Sequence, residues 1–176
     1  MPKQVDKPYI PREIFPALSE HLNEPEISLI TGSRQVGKTV LLEELRRFLL
    51  EKSGVPERHI ISYNLDLVQD QDALHDQTAF ISFLEDHSQV ERLYVFVDEA
   101  QKVPEAARYF KGVYDRGLNV KLILTGSASL EAKAHFKETL AGRKRVFAIS
   151  PFTFTECVRA RDETLFNLWQ SRRAAL

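Results

Sequence analysis

Short apolar runs bounded by polar turns alternate along the chain with segments whose apolar residues recur every three or four positions. The runs are Ile27–Ile30, Ile60–Leu65, Leu93–Val97, Val120–Leu124 and Val146–Ile149, and each reads as a buried strand. Between the first two, Lys38–Lys52 sets Val40, Leu41, Leu45, Phe48 and Leu49 on one broad helical face, and Ser53-Gly54 stops it. Three more helices are predicted. One covers Thr78–Glu85. A second is opened by Pro104, aligns Ala106, Phe110 and Val113, and ends at Gly117. The third covers Ser129–Leu140. Ahead of the first strand, Ile14, Leu18 and Leu22 recur at i, i+4, i+8 in a short amphipathic segment.

Strands separated by helices predict an α/β fold with a mostly parallel five-stranded sheet. Ligands in such sheets bind beyond the carboxyl ends of the strands. Polar residues gather at those ends here: Thr31-Gly32, Asn64 and Asp66, Asp98-Glu99, and Thr125-Gly126-Ser127. Composition narrows the picture further. A chain of 176 residues suits one domain, and 24 basic against 25 acidic residues leave no bulk charge to attract nucleic acid. Cys157 is the single cysteine, which excludes an internal disulfide and reads as a buried or bystander thiol in a reducing, cytoplasmic setting. The five histidines are scattered, so no zinc-type spacing appears. No apolar run approaches a membrane span, and Met1-Pro2-Lys3-Gln4-Val5-Asp6 lacks the apolar core expected of a signal peptide.

The strongest chemical signal is Gly32-Ser33-Arg34-Gln35-Val36-Gly37-Lys38-Thr39, which matches Gly-x4-Gly-Lys-Ser/Thr between a predicted strand and a predicted helix. Roughly 0.002 such matches are expected by chance in a chain of this composition. The glycines let successive backbone N–H groups face phosphate oxygens, and the helix starting there adds its positive end. In this reading Lys38 reaches the β- and γ-phosphates of a nucleotide, Thr39 ligates Mg²⁺, and Ser33 to Val36 and Val40 complete the nucleotide contacts. Asp98-Glu99 closes the most apolar strand; Asp98 is assigned to Mg²⁺ and Glu99 to the attacking water. Asp66 is a rival base or a turn residue. Thr125 and Ser127 either touch the γ-phosphate and the water or serve turn and capping chemistry. Arg143, between the fourth helix and fifth strand, is placed at the ligand edge. It either stabilises charge on a neighbouring subunit's nucleotide, which implies a homo-oligomer, or belongs to a surface cluster with Lys144 and Arg145.

Together the phosphate loop, Val97-Asp98-Glu99-Ala100-Gln101, Leu124-Thr125-Gly126-Ser127 and Leu140-Ala141-Gly142-Arg143 resemble the AAA-type branch of P-loop ATPases. More narrowly, they resemble bacterial and archaeal ATPases that carry an AAA-like core followed by a poorly characterised C-terminal region. The resemblance runs from about Tyr9 to Glu156. It implies a three-layer P-loop NTPase core with sheet order 5-1-4-3-2, ATP and Mg²⁺ as ligands, and hydrolysis as the reaction. Residues 1–156 form the ATP-binding domain, with 1–26 preceding the first strand. Pro151–Glu156 leads out of it, and residues 157–176 are either a docked last helix or the start of a second region. Neither that region nor the usual helical lid with its second sensor arginine is found here. Leu165, Phe166, Leu168 and Trp169 form an apolar stripe with little chain left to cover it. The rival readings are a nucleotide-dependent binding switch with negligible turnover and a small-molecule kinase. Asp98-Glu99 counts against the kinase.

Overall fold

The computed structural model describes residues 9–127 and 138–173. Five strands, β1 (Ile27–Gly32), β2 (Ile60–Asn64), β3 (Leu93–Asp98), β4 (Val120–Ser127) and β5 (Lys144–Ala148), form one sheet in the order β2-β3-β4-β1-β5. Every adjacent pair is parallel. This is the order that the family resemblance implies, counted from the other edge. Seven helices accompany the sheet among the described residues: α1 (Phe15–His21), α2 (Lys38–Glu51), α3 (Val68–Ala73), α4 (Gln77–His87), α5 (Ala106–Tyr114), α6 (Phe154–Arg161) and α7 (Glu163–Arg173).

The period-two alternation of the strands divides the core into two layers. Ile27, Leu29, Val95, Val97, Leu122 and Leu124 face α4 and α5, where Phe80, Leu84, Phe110 and Val113 cover them. Ile30, Tyr94, Phe96, Ile123 and Phe147 face the opposite way, onto Leu18 of α1 and Leu41, Leu45 and Leu49 of α2. Both faces of the sheet are thus buried, which is why the strands read as continuous apolar runs. Phe96 and Phe110 are among the largest fully enclosed side chains, and truncating either to alanine would cost about 3–5 kcal/mol. Among the described residues no helix is long and apolar enough to cross a membrane.

Four expectations change. Helix α5 starts at Ala106, because Glu105 takes a left-handed φ of 49°; Pro104 therefore sits in the turn before the helix. The stretch read as a turn after Asp66 continues into α3, a polar helix with no apolar period to announce it. Asp70 accepts the Asn64 N–H at 2.6 Å and Gln71 donates to the Leu65 carbonyl at 2.6 Å, which tie it to the end of β2. Cys157 is exposed, so the buried-thiol reading does not hold. The apolar stripe near the end splits: Phe166 is buried, with the Arg159 guanidinium 4.2 Å above its ring, while Leu165 and Leu168 are more than half exposed. The predicted helix Ser129–Leu140 lies mostly outside the described residues.

Candidate nucleotide site

All five strands deliver their carboxyl ends to one edge, and the phosphate loop leaves β1 there. A Cβ at Gly32 would lie 2.5 Å from the Ile149 carbonyl oxygen and 3.0 Å from Val36 Cγ2, so only glycine lets the chain pass the exit of β5. Gln35 (φ 63°) and Gly37 (φ 94°) then take left-handed conformations that fold the loop back toward α2. Gly37 is the N-cap residue of α2; no side chain caps it, and no acidic residue stands in the first turn. Those first amides keep their capacity to bind an anion. Lys38, only 6% exposed, donates to the carbonyls of Gly32 at 3.2 Å and Ser33 at 3.0 Å. A glycine cradle, uncapped amides and a cation bent across them suit a polyphosphate.

Alternation along β3 and β4 brings the acidic end to the same place. Tyr94, Phe96 and Asp98 share a face, as do Ile123 and Thr125, and that face is the one packed on α2. The Thr39 hydroxyl at the head of α2 donates to Asp98 Oδ2 at 2.6 Å. Thr125, fully buried, donates to Asp98 Oδ1 and accepts the Glu99 N–H at 2.9 Å. Thr125 is thereby committed to holding the acidic pair. Ser127 ends β4 beside Gly32 in register, at the root of the loop. The oxygen donors of Thr39 and Asp98 are those a hard cation such as Mg²⁺ prefers.

Glu99 takes a left-handed φ of 58°, an uncommon conformation for a residue with a side chain. It lines a cleft of about 670 Å³ with Arg34, Gln35, Lys38, Thr39 and Val40. The Gln101 amide donates to Glu99 Oε2. Asp66 reaches the same cleft, but its carboxylate is 65% exposed and paired with Lys102 at 2.6 Å. Val36 turns inward: its side chain joins the α2-side core and its carbonyl faces Arg12.

Arg143 is not at this edge. It precedes β5, which runs parallel to β1, so it stands where the strands begin. Its carbonyl accepts the N–H of Ile27, the first residue of β1, at 2.9 Å. The strand length separating it from the loop is roughly 17–20 Å at about 3.3 Å per residue. Its guanidinium donates to Asp115 at 2.6 Å. Arg143 shares no contact with the phosphate loop of its own chain among the described residues.

Sequence reasoning missed Arg12 and Glu156. Both are buried, and Arg12 Nε donates to Glu156 Oε1 at 3.0 Å. The two terminal nitrogens of Arg12 donate to the Val36 carbonyl at 2.8 Å and the Ser150 carbonyl at 2.6 Å. Burial pushes the Glu156 carboxyl up. The N–H groups of Glu13 and Thr153 at 2.9 Å, and then Arg12, outweigh that, and the net shift is downward. Thr153 and Glu156 form a capping box at the start of α6, a pattern that the sequence does carry. No local signal marks Arg12, which lies 144 positions away.

Comparison with known proteins agrees with this geometry. The AAA domain family profile matches residues 24–158. A Haemophilus influenzae protein described as uncharacterized is 27% identical over 138 residues, covering 77% of this chain and 34% of its own length. The chain thus spans about a third of that relative. Among solved structures, the Saccharomyces cerevisiae Hsp104:casein complex superposes with a TM-score of 0.61 at 16% identity, covering 84% of this chain and 28% of the other. A Thermotoga maritima protein related to the DNA polymerase III gamma subunit gives 0.55 at 17%, covering 82% and 49%. Drosophila ORC bound to DNA gives 0.54 at 13%, covering 81% and 92%. These distant likenesses show the fold, and the profile match shows the family. With its parallel sheet, phosphate loop and acidic strand end, the chain belongs to the AAA domain family of P-loop ATPases.

Proposed function

We propose that this chain binds ATP with Mg²⁺ and hydrolyses it, driving or switching a module attached to it or associated with it. The observation that carries the reading is the Thr39–Asp98 hydrogen bond of 2.6 Å. It closes the gap between the phosphate loop and the acidic strand end, so Lys38, the uncapped α2 amides and Glu99 border one cleft.

Each residue then has a task set by its chemistry. The loop amides and Lys38 bind the phosphates, with the ammonium exchanging the Gly32 and Ser33 carbonyls for phosphate oxygens. Thr39 and Asp98 would hold Mg²⁺, which when bound neutralises charge on the phosphoryl oxygens. Glu99 orients a water and accepts its proton, as a general base must. Gln101 steadies that carboxylate, and Thr125 fixes the backbone on which it stands. Ser127, in register with Gly32 at the root of the loop, would offer its hydroxyl to the terminal phosphate. Arg143, remote from its own loop, serves only in trans, at the nucleotide of an adjacent copy.

Calorimetry with MgATP, together with phosphate release in the absence of any added acceptor, tests the proposal. Wild type should bind and release phosphate. Lys38→Ala should lose at least tenfold in affinity, the scale of a charged hydrogen bond worth about 1.5–3 kcal/mol. Equal affinity in the two proteins refutes nucleotide binding at this loop. Binding without phosphate release supports the switch in place of the hydrolase.

A further inference from the structure

The Arg12 guanidinium joins four parts of the chain at once. It extends from the segment before α1, meets the phosphate loop at the Val36 carbonyl, meets the exit of β5 at the Ser150 carbonyl, and pairs with Glu156 on α6. The Phe152 ring lies 4.6 Å from its centre. Its Nη1 would stand 3.6 Å from a Cβ placed on Gly37, directly against the outer side of the loop.

The position of that contact matters more than its strength. Val36 and Gly37 share a planar trans peptide, in which the carbonyl oxygen and the following N–H point to opposite sides. Arg12 holds the Val36 oxygen on the outer side, so the Gly37 N–H is turned away from Arg12, toward the cleft that Gly37 lines. Glycine at φ 94° has the freedom to rotate this peptide, and the guanidinium removes it. Arg12 is in turn held by Glu156, whose carboxylate also accepts the N–H groups of Glu13 and Thr153.

We propose that Arg12 and Glu156 are positioning residues that hold the Gly37 amide toward the phosphates and thereby couple the seating of α6 to nucleotide occupancy. The inference rests on the ATP-binding reading above. It gives a physical route from the phosphate loop to the segment that leaves the domain: a flip of the Val36–Gly37 peptide removes an acceptor from Arg12 and loosens Glu156. Coupling of this kind is reciprocal, so nucleotide should stabilise α6 as much as a seated α6 strengthens nucleotide binding.

The test uses the whole chain. Hydrogen exchange is followed across Phe154–Arg161 with and without MgATP, and the Gly37 amide resonance is followed during the same titration. In wild type, exchange of α6 should slow and the Gly37 amide should move as it gains a phosphate acceptor. Arg12→Gln should weaken MgATP by about 5- to 150-fold, the usual span of coupling between linked sites, and shrink the Gly37 displacement. Glu156→Gln keeps the shape and the acceptor oxygen for the cap, and should shift both readouts less in the same direction. Wild-type binding with no change in α6 exchange overturns the coupling. So does an Arg12→Gln protein that binds MgATP as wild type does, with an unaltered Gly37 response. Should Arg12→Gln fail to fold, the wild-type exchange result and Glu156→Gln decide the matter. Absence of any MgATP binding by wild type defeats the ATP reading itself and this inference with it, and calorimetry separates that outcome from the others.

Discussion

Thr125 holds Asp98 by donating its hydroxyl hydrogen to Asp98 Oδ1, and Thr125 Oγ1 in turn accepts the backbone N–H of Glu99 at 2.9 Å. One buried hydroxyl on β4 therefore orients both acidic residues at the end of β3. Thr125→Val keeps the volume and deletes the hydroxyl, leaving the Glu99 N–H and one Asp98 oxygen without that partner. Urea denaturation should show a loss of about 1–3 kcal/mol, the cost of unsatisfied buried polar groups. Phosphate release should demand more Mg²⁺, because Asp98 is less well oriented. A variant as stable as wild type, with the same Mg²⁺ requirement, removes Thr125 from this role.

Glu99→Gln should separate chemistry from binding. The amide retains the shape and the Gln101 contact on one side, yet it cannot take a proton from water. Turnover should fall by about 10²–10⁴-fold while MgATP affinity stays within a few-fold of wild type. Asp66→Asn, which breaks only an exposed pair with Lys102, should leave turnover nearly unchanged. The reverse pattern would move the base to Asp66.

Arg143→Ala should act through assembly. Its position at the start of β5, against Asp115, puts it beyond reach of its own cleft. Mixing Arg143→Ala with Glu99→Gln, each nearly inactive alone, should restore part of the turnover at high protein concentration. An arginine supplied in trans is worth roughly 10³–10⁵ in rate. Wild-type activity that is independent of concentration, with no rescue on mixing, would leave Arg143 as a surface residue paired with Asp115.

Acid should destabilise the fold through a buried histidine. His21 lies against Ser28 at 2.8 Å and Lys121 at 3.2 Å, with Arg145, Arg92 and Glu26 also acting on it. Burial, then the Lys121 and Arg145 charges, lower its pKa to about 4 from the usual 6.5. The unfolded chain therefore binds a proton that the folded one refuses, and stability falls as pH drops from 6.5 toward 4. The drop amounts to about 3 kcal/mol for this group. Glu156, held below its ordinary range, adds a further loss below about pH 4.5. Urea midpoints at pH 7, 5.5 and 4.5 measure this, and His21→Gln should flatten the upper part of the curve. An unchanged slope in that variant assigns the acid sensitivity elsewhere.

The sheet and the phosphate loop were legible because each rests on local pattern. Five apolar runs gave five strands, and a rare glycine spacing between a strand and a helix located the cleft. Asp98 and Glu99 were readable for the same reason, as carboxylates directly after an apolar run. What escaped was of two kinds. Helix α3 has a polar sequence with no buried residue, so no hydrophobic period announced it. Arg12 and Glu156 meet across 144 positions, a relation that only the closed fold creates. The placement of Arg143 is a different lesson. Parallel strands put the residue that precedes each of them at the edge away from the ligand, so the predicted sheet already contradicted the edge first assigned to it.

The two outer strands of the sheet are β2 and β5, and among the described residues no further strand pairs with the outer row of backbone groups on either. On β5 that margin carries consecutive basic residues, Lys144 and Arg145, with the latter exposed and its guanidinium 5.3 Å from the Phe147 ring. A sixth strand drawn from another copy would have to bring its backbone alongside this charge, and charged edge positions are how proteins blunt such pairing. Those charges oppose a sixth strand at the β5 margin. A neighbouring copy that supplies Arg143, as proposed above, would meet this margin of β5 through side chains and not by adding a strand to it.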